Sequence, residues 1–402
     1  MRFAFRRWIA EPLDELRRRP PGQLGGLDAL RTLAVLLVIC GHASGSYFQL
    51  GGERTFLWRW APAGWIGVDL FFVLSGYLIG KQLWREWGQS GTIRFWRFFL
   101  RRGLRIWPLY FFFLAFVALA LGRGRLPFGR GWSDLVFLTN YVNQGVVIGS
   151  WSLCTEEQFY LLAPLLLIVS ASRARSLASY RQYLWIGLAA LPVVRAITWW
   201  RLTGDFSMHD PELFKRHLYQ PIHLHCDGLL MGLILSNLAA ERRDVAPRSS
   251  LRYGAGLLVL SCVALVGLRA MQREVFNFTG LTLVLGALTS LALRDIGSAG
   301  ILQARPFYWL SRLSYGMYLN HAYLHEPLAQ FAVAFIPGME RAATLHFIAT
   351  ESLVVASSVC FAVVTFCLIE HPFLRLRNVL LERSKAGRTS PEAGAAELES
   401  PA

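Results

Sequence analysis

The sequence predicts an all-α polytopic membrane protein, a bundle of about ten transmembrane helices with both termini in the cytoplasm. Three observations carry that prediction. Of 402 residues, 54% are hydrophobic and only 17% are charged, against about a quarter charged in ordinary soluble domains. Apolar stretches of about 20 residues, the length that crosses a bilayer as a helix, recur between charge clusters along the whole chain. Finally, if the N-terminus is cytoplasmic, 28 Lys and Arg fall on the inner side and 11 on the outer, the asymmetry that orients membrane proteins. The net charge of +15 therefore reads as an orientation signal, and no nucleic-acid partner is expected.

The predicted spans are Leu27–Phe48, Gly64–Leu83, Leu104–Leu121, Ser152–Val169, Tyr183–Trp200, Leu218–Asn237, Leu251–Leu268, Val275–Leu293, Phe307–Pro327 and Ala343–Ile369. Residues 1–24 form a basic cytoplasmic segment, 25–378 one transmembrane domain, and 379–402 a polar tail whose Ala, Glu, Ser and Pro content predicts disorder. The six cysteines are scattered in or beside apolar segments without metal-ligand spacing. They read as small buried hydrophobes, and no metal site is expected.

Ionisable groups inside apolar spans are costly and usually face a cavity or a partner. In the first span Arg31 and His42 are eleven residues apart, within about 20° of three full turns, so they share one face about 16 Å apart. Under the predicted topology Asp69, Glu156, Glu157, His223, His225, Asp227, His321 and His325 fall in the outer half, and Arg101, Arg102 and Arg105 lie at the level of Arg31. A cationic inner half below an acid and imidazole outer half suits an acyl-coenzyme A, with its phosphates on guanidinium groups and its thioester delivered toward His42. A neutral His42 would then remove the proton from an acceptor hydroxyl as that oxygen attacks the thioester, with Glu156 or Asp69 orienting the ring. Plainer roles stand beside these: Glu156 as a helix N-terminal anion, Asp69 as the acceptor for a Trp or backbone N–H, and Ser75 as a small packing residue beside Gly76.

At these same residues the chain resembles the acyltransferase 3 family of integral-membrane acyltransferases. GLDALRTLAVLLVICGH (Gly26–His42) resembles its first helix, in which an Arg, ten residues and a His recur. GVDLFFVLSGYLIG (Gly67–Gly80), RRGLRIWPLY (Arg101–Tyr110), SWSLCTEEQFYL (Ser150–Leu161), LSRLSYGMYLNHAYL (Leu310–Leu324) and LIEHPF (Leu368–Phe373) are similar to five further family segments, in order. The resemblance implies transfer of an acyl group, commonly acetyl, from cytoplasmic acyl-CoA to a hydroxyl of an extracytoplasmic glycan or lipid-linked sugar in the bacterial inner membrane. Acetyl-CoA is then a co-substrate, and no bound cofactor is expected. His42 carries over as the catalytic base and Arg31 as a residue of the acyl-donor site; Glu156 and Asp69 complete the candidate catalytic set, Arg102 and Arg105 the candidate acyl-donor site, and His321, Asp227 and His225 are acceptor-site candidates. Two departures bear on the acceptor: HLHCDGLLMG (His223–Gly232) has His225 where the family often has Arg before the Asp, and Asn320 replaces an aromatic before His321. Acylation of a small natural product such as a macrolide is the alternative acceptor reading. A secondary transporter is the alternative from another class, and the chain shows no inverted repeat to favour it. The sequence assigns no oligomeric state.

Overall fold

The computed structural model describes residues 9–20, 23–49, 64–121, 128–142, 145–170, 176–205, 210–241, 273–293, 303–335 and 343–386. Among these residues every regular element is helical: α1 (Glu11–Arg17), α2 (Gly25–Gln49), α3 (Ile66–Ser90), α4 (Phe95–Phe116), α5 (Phe128–Leu135), α6 (Thr139–Val142), α7 (Ser150–Ser170), α8 (Leu177–Thr203), α9 (Pro211–Phe214), α10 (Asp227–Glu241), α11 (Arg273–Ala292), α12 (Arg305–Asn320), α13 (His325–Phe335), α14 (Ala343–Thr365) and α15 (His371–Ala386). Among the described residues six stretches are long and apolar enough to cross a membrane: Gly25–His42, Ile66–Ser90, Phe95–Leu119, Ser150–Ser170, Leu177–Thr203 and Phe347–Glu382. Asn277–Ala292 is a shorter apolar helix. Helices suit this setting because each closes its backbone hydrogen bonds within itself.

The predicted spans differ from these helices at three places. The sixth begins at Asp227 rather than Leu218, because 222–224 is a turn preceded by a π-helical turn at Lys215–Tyr219. The ninth is broken, since α12 gives way to a 3-10 turn at His321–Tyr323 before α13. The tenth continues through a π-helical turn at Phe366–Glu370 into α15, so 379–386, assigned to the tail, are helical. The seventh, Leu251–Leu268, lies outside the described residues, as do 387–402.

The closest helix pair is α3 with α10. Both carry Gly-xxx-Gly, Gly76/Gly80 against Gly228/Gly232, the pattern that lets backbones approach where lipid supplies no hydrophobic drive. A Cβ on Gly76 would stand 2.2 Å from the Leu229 carbonyl oxygen and one on Gly232 would stand 2.3 Å from that of Val73. Trp84 Nε1 donates to Ser236 Oγ (2.9 Å) across the same contact. Gly76→Leu is therefore expected to force the pair apart and cost about 3 kcal/mol or more. Thermal denaturation in detergent checks this, and an unchanged midpoint would show that the contact yields.

Around that pair, α2 packs on α3 and α12, α12 on α14, and α4 on α15. Thr32 Oγ1 donates to the Phe307 carbonyl (3.0 Å) and Ser311 Oγ to Asp28 (3.0 Å), pinning α2 to α12. The predicted basic N-terminal segment is in part ordered: Glu15 in α1 pairs with Arg312 (2.6 Å) and Glu11 with Arg375 (2.8 Å), seating α1 on α12 and α15. Helix α8 turns Ile186, Val193, Val194, Ile197 and Trp200 outward, an apolar face suited to lipid.

Candidate active site

Helix α2 is unbroken from Gly25 to Gln49, so the register read from the sequence holds and Arg31 and His42 lie about 16 Å apart along one axis. Each joins a different cluster, and α12 connects the two.

At His42 the partner is another imidazole. His321 Nε2 lies 3.3 Å from His42 Nδ1, the rings meet edge to face with centroids 4.8 Å apart, and His42 Nδ1 is also 3.0 Å from the Val38 carbonyl oxygen. His321 Nδ1 lies 2.7 Å from the Tyr318 carbonyl oxygen. A carbonyl only accepts, so His321 Nδ1 carries a proton and the neutral ring leaves Nε2 as an acceptor. His42 Nδ1–H then donates to Val38 and His321 together, which leaves the lone pair on His42 Nε2. The two carbonyls thus assign both tautomers and prepare His42 Nε2 as a base. His42 is exposed while His321 is buried. His321 follows the last residue of α12 in helical conformation, its N–H bonded to the Met317 carbonyl, and the 3-10 turn begins there.

Among the described residues no carboxylate bonds to His42, whose ring meets the Val38 carbonyl and His321. Asp69 Oδ1 instead lies 2.8 Å from His225 Nε2, whose Nδ1 reaches the Tyr219 carbonyl (2.7 Å). Phe278, Tyr219 and Phe72 surround that ring with centroids 4.4, 4.8 and 5.7 Å away. His223, two residues earlier, is exposed and stacks on Tyr141, with its Nδ1 3.0 Å from the hydroxyl. Sequence reasoning gave no role to Glu351 of α14, which lies 3.5 Å from His325 Nδ1, with the His325 ring 6.1 Å from that of His321.

Glu156 belongs to the arginine cluster, not to His42. It lines, with Arg31, Ser75, Ser152, Tyr315 and Tyr318, a cavity of about 60 Å³, enough for a few water molecules. Ser75 Oγ donates to Glu156 Oε1 (2.6 Å) and the Tyr160 hydroxyl to Oε2 (3.0 Å), so Ser75 does more than fill space. Arg102 lies over the Tyr160 ring at 5.6 Å and reaches Gln82 (3.4 Å), while Arg105 enters the same cationic group on the next turn of α4. Among the described residues the buried Nε atoms of Arg31 and Arg102 have no protein acceptor, as suits groups awaiting an anion. Tyr318 links the clusters: its hydroxyl meets Ser152 (2.5 Å) and the Gly149 carbonyl (3.2 Å) at the cavity, and its own carbonyl holds His321. The neighbouring departure, Asn320, is turned away from the site and donates to the Gly316 carbonyl (2.8 Å).

Asp227 is held by Arg195 of α8, a residue passed over in the sequence. Arg195 Nη1 and Nη2 donate to Asp227 Oδ2 (2.7 Å) and Oδ1 (3.1 Å), and Nη1 also reaches the Leu224 carbonyl (2.8 Å). Both side chains are fully buried. A lone Arg inside an apolar span was the available signal. No group of three or more metal-ligating side chains converges among the described residues.

A helical bundle whose interior joins a guanidinium-lined cavity to a prepared imidazole pair has the parts for acyl transfer within a membrane. The chain belongs to the acyltransferase 3 family: the family model, described as an acyltransferase domain, matches residues 24–369. It is a multi-pass membrane protein of that family. Over 322 residues it is 27% identical to the peptidoglycan O-acetyltransferase OatA of Listeria monocytogenes, covering 73% of this chain and 48% of that protein. It is also 27% identical to the putative peptidoglycan O-acetyltransferase YrhL of Bacillus subtilis (74% and 48% covered) and 25% identical to the O-acetyltransferase OatA of Staphylococcus aureus (75% and 50% covered). The chain spans about half the length of these curated relatives. No solved structure matches it.

Proposed function

We propose that the protein is a membrane O-acetyltransferase that moves an acetyl group from cytoplasmic acetyl-CoA to a hydroxyl of an extracytoplasmic glycan, working in the bacterial inner membrane. The observation that carries this reading is the His42–His321 pair, whose backbone partners leave His42 Nε2 unprotonated at the end of the helix that also presents Arg31. The similarity to peptidoglycan O-acetyltransferases supports a polysaccharide acceptor.

In this reading the donor's phosphates meet Arg31, Arg102 and Arg105, and the pantetheine arm passes Tyr315 and Tyr318 toward His42. The cavity of about 60 Å³ is too small for the arm, so those side chains swing aside when the donor enters. His42 Nε2 accepts the acceptor hydroxyl's proton as its oxygen bonds to the acetyl carbonyl carbon. The C–S bond then breaks, and the thiolate takes up a proton as coenzyme A. His321 Nε2, accepting from His42 Nδ1–H, stabilises the imidazolium formed midway. Glu156 keeps Tyr160 and Ser75 fixed beside the arginines. Asp69, His225 and Asp227 hold the floor of the acceptor side rather than touching the reacting atoms.

The test is transfer of labelled acetyl from acetyl-CoA to a glycan fraction by purified protein in bilayers. Label on the glycan, with coenzyme A released in equal amount, is the expected result. Failure both to bind acyl-CoA and to transfer label across a panel of donors and acceptors would sink the reading. Within it, Arg31→Ala is expected to raise the KM for acetyl-CoA about tenfold or more with a smaller change in kcat, because a charge-assisted contact to phosphate is lost in ground and transition state alike. His321→Ala is expected to lower kcat about 10- to 100-fold, since Val38 alone still fixes the His42 tautomer.

A further inference from the structure

A second group of arginines stands apart from the donor cluster. Arg94, Arg97 and Arg101 are spaced three and four residues apart at the start of α4, so they form one stripe, whereas Arg102 points to Tyr160 and Gln82. With Arg377 of α15 the three line a cleft of about 380 Å³ between the two helices. That volume is in the range of small-ligand sites and exceeds that of the cavity beside Glu156.

The four guanidinium groups are not paired among the described residues, although Glu86 and Glu15 stand in their neighbourhood. No carboxylate lies within ion-pair distance of any of the four guanidinium groups among the described residues. Glu86 approaches, and its Oε1 accepts from the Arg94 backbone N–H (3.1 Å). Among the described residues the Arg377 side chain donates to the amide oxygen of Asn378, and the buried Nε atoms of Arg97 and Arg101 have no acceptor. Four like charges converging at a membrane boundary repel one another unless an anion sits between them.

The rim specifies the kind of anion. Trp96, Leu100 and Leu380 stand beside the guanidinium groups and are 71%, 53% and 46% exposed. A soluble anion gains nothing from such a rim, but an amphiphile covers it with its chains while its head meets the charges. Trp and Arg together mark the headgroup level of a bilayer. We propose that this cleft binds the headgroup of an anionic phospholipid, held by Arg94, Arg97, Arg101 and Arg377, with the acyl chains lying over Trp96, Leu100 and Leu380.

The site is independent of the acyl-transfer reading, and its test measures lipid rather than transfer. The full-length protein in detergent is titrated with phosphatidylglycerol, phosphatidylcholine or free coenzyme A, and bound molecules are counted by native mass spectrometry. Wild type is expected to retain phosphatidylglycerol in preference to phosphatidylcholine, with coenzyme A failing to displace it. The double variant Arg97→Gln/Arg377→Gln should weaken phosphatidylglycerol binding about 30-fold, from two lost guanidinium contacts, and Arg97→Lys/Arg377→Lys should restore most of it. Equal retention of the two lipids by wild type would overturn the proposal without recourse to any variant. Displacement by coenzyme A would overturn it too, by assigning the cleft to nucleotide phosphates.

Discussion

His42→Ala is expected to lower the rate of acetyl transfer by about 10³-fold or more while leaving the KM for acetyl-CoA close to that of the parent. The asymmetry follows from the geometry. The donor is held by arginines about 16 Å away along α2, so binding survives. The loss falls on the transition state, where no other lone pair is prepared: His321 Nε2 points at His42, and its Nδ1 is committed to the Tyr318 carbonyl (2.7 Å). General-base catalysis contributes about 10²- to 10⁴-fold, and the Val38 and Tyr318 carbonyls leave the lone pair for that function on His42 Nε2. Single-turnover transfer from labelled acetyl-CoA is the appropriate measurement, since it separates chemistry from release. A variant that kept a tenth of the parent's rate would remove His42 from the base role.

Arg195→Met is expected to destabilise the protein by about 3–5 kcal/mol, because it strands the Asp227 carboxylate in a fully buried position. Native domains are stable by only about 5–15 kcal/mol, so the variant should be largely misfolded at 37 °C. The informative comparison is Arg195→Met/Asp227→Leu. Replacing both charges with apolar groups of similar volume removes the desolvation penalty together with the attraction, and such double replacements are often neutral or better. The double variant should recover most of the loss in a detergent thermal-shift series. If the single variant were as stable as the parent, the pair would not be the clasp between α8 and α10 that its 2.7 and 3.1 Å contacts suggest.

Much of this protein was legible before its structure. The placing of Arg31 and His42 on one face needed only helical periodicity and survived intact, because α2 has no break between them. The six family motifs lie on α2, α3, α4, α7, α12 and the junction of α14 with α15. What misled was depth. Glu156 was assigned to the imidazole half from its place early in a span, yet it joins Arg31 through the shared cavity. Its side chain meets Ser75 across 81 residues of sequence. Asp69 was placed with His42 on the same reasoning and was taken instead by His225, 156 residues away.

The sequence by itself determined the all-helical membrane class and the family. It also determined the face that Arg31 shares with His42, because a helix closes its hydrogen bonds within four residues and points each side chain by its position alone. Only the tertiary structure decided the pairings: His42 with His321, Asp69 with His225, Asp227 with Arg195, Glu156 with Ser75 and Tyr160. Without water in the bundle core, each buried polar group must find its partner on another helix. Which helix supplies that partner depends on how closely the helices approach. In the centre of this bundle that approach is governed by the glycines between α3 and α10, where a single Cβ would meet a backbone carbonyl at 2.2 Å.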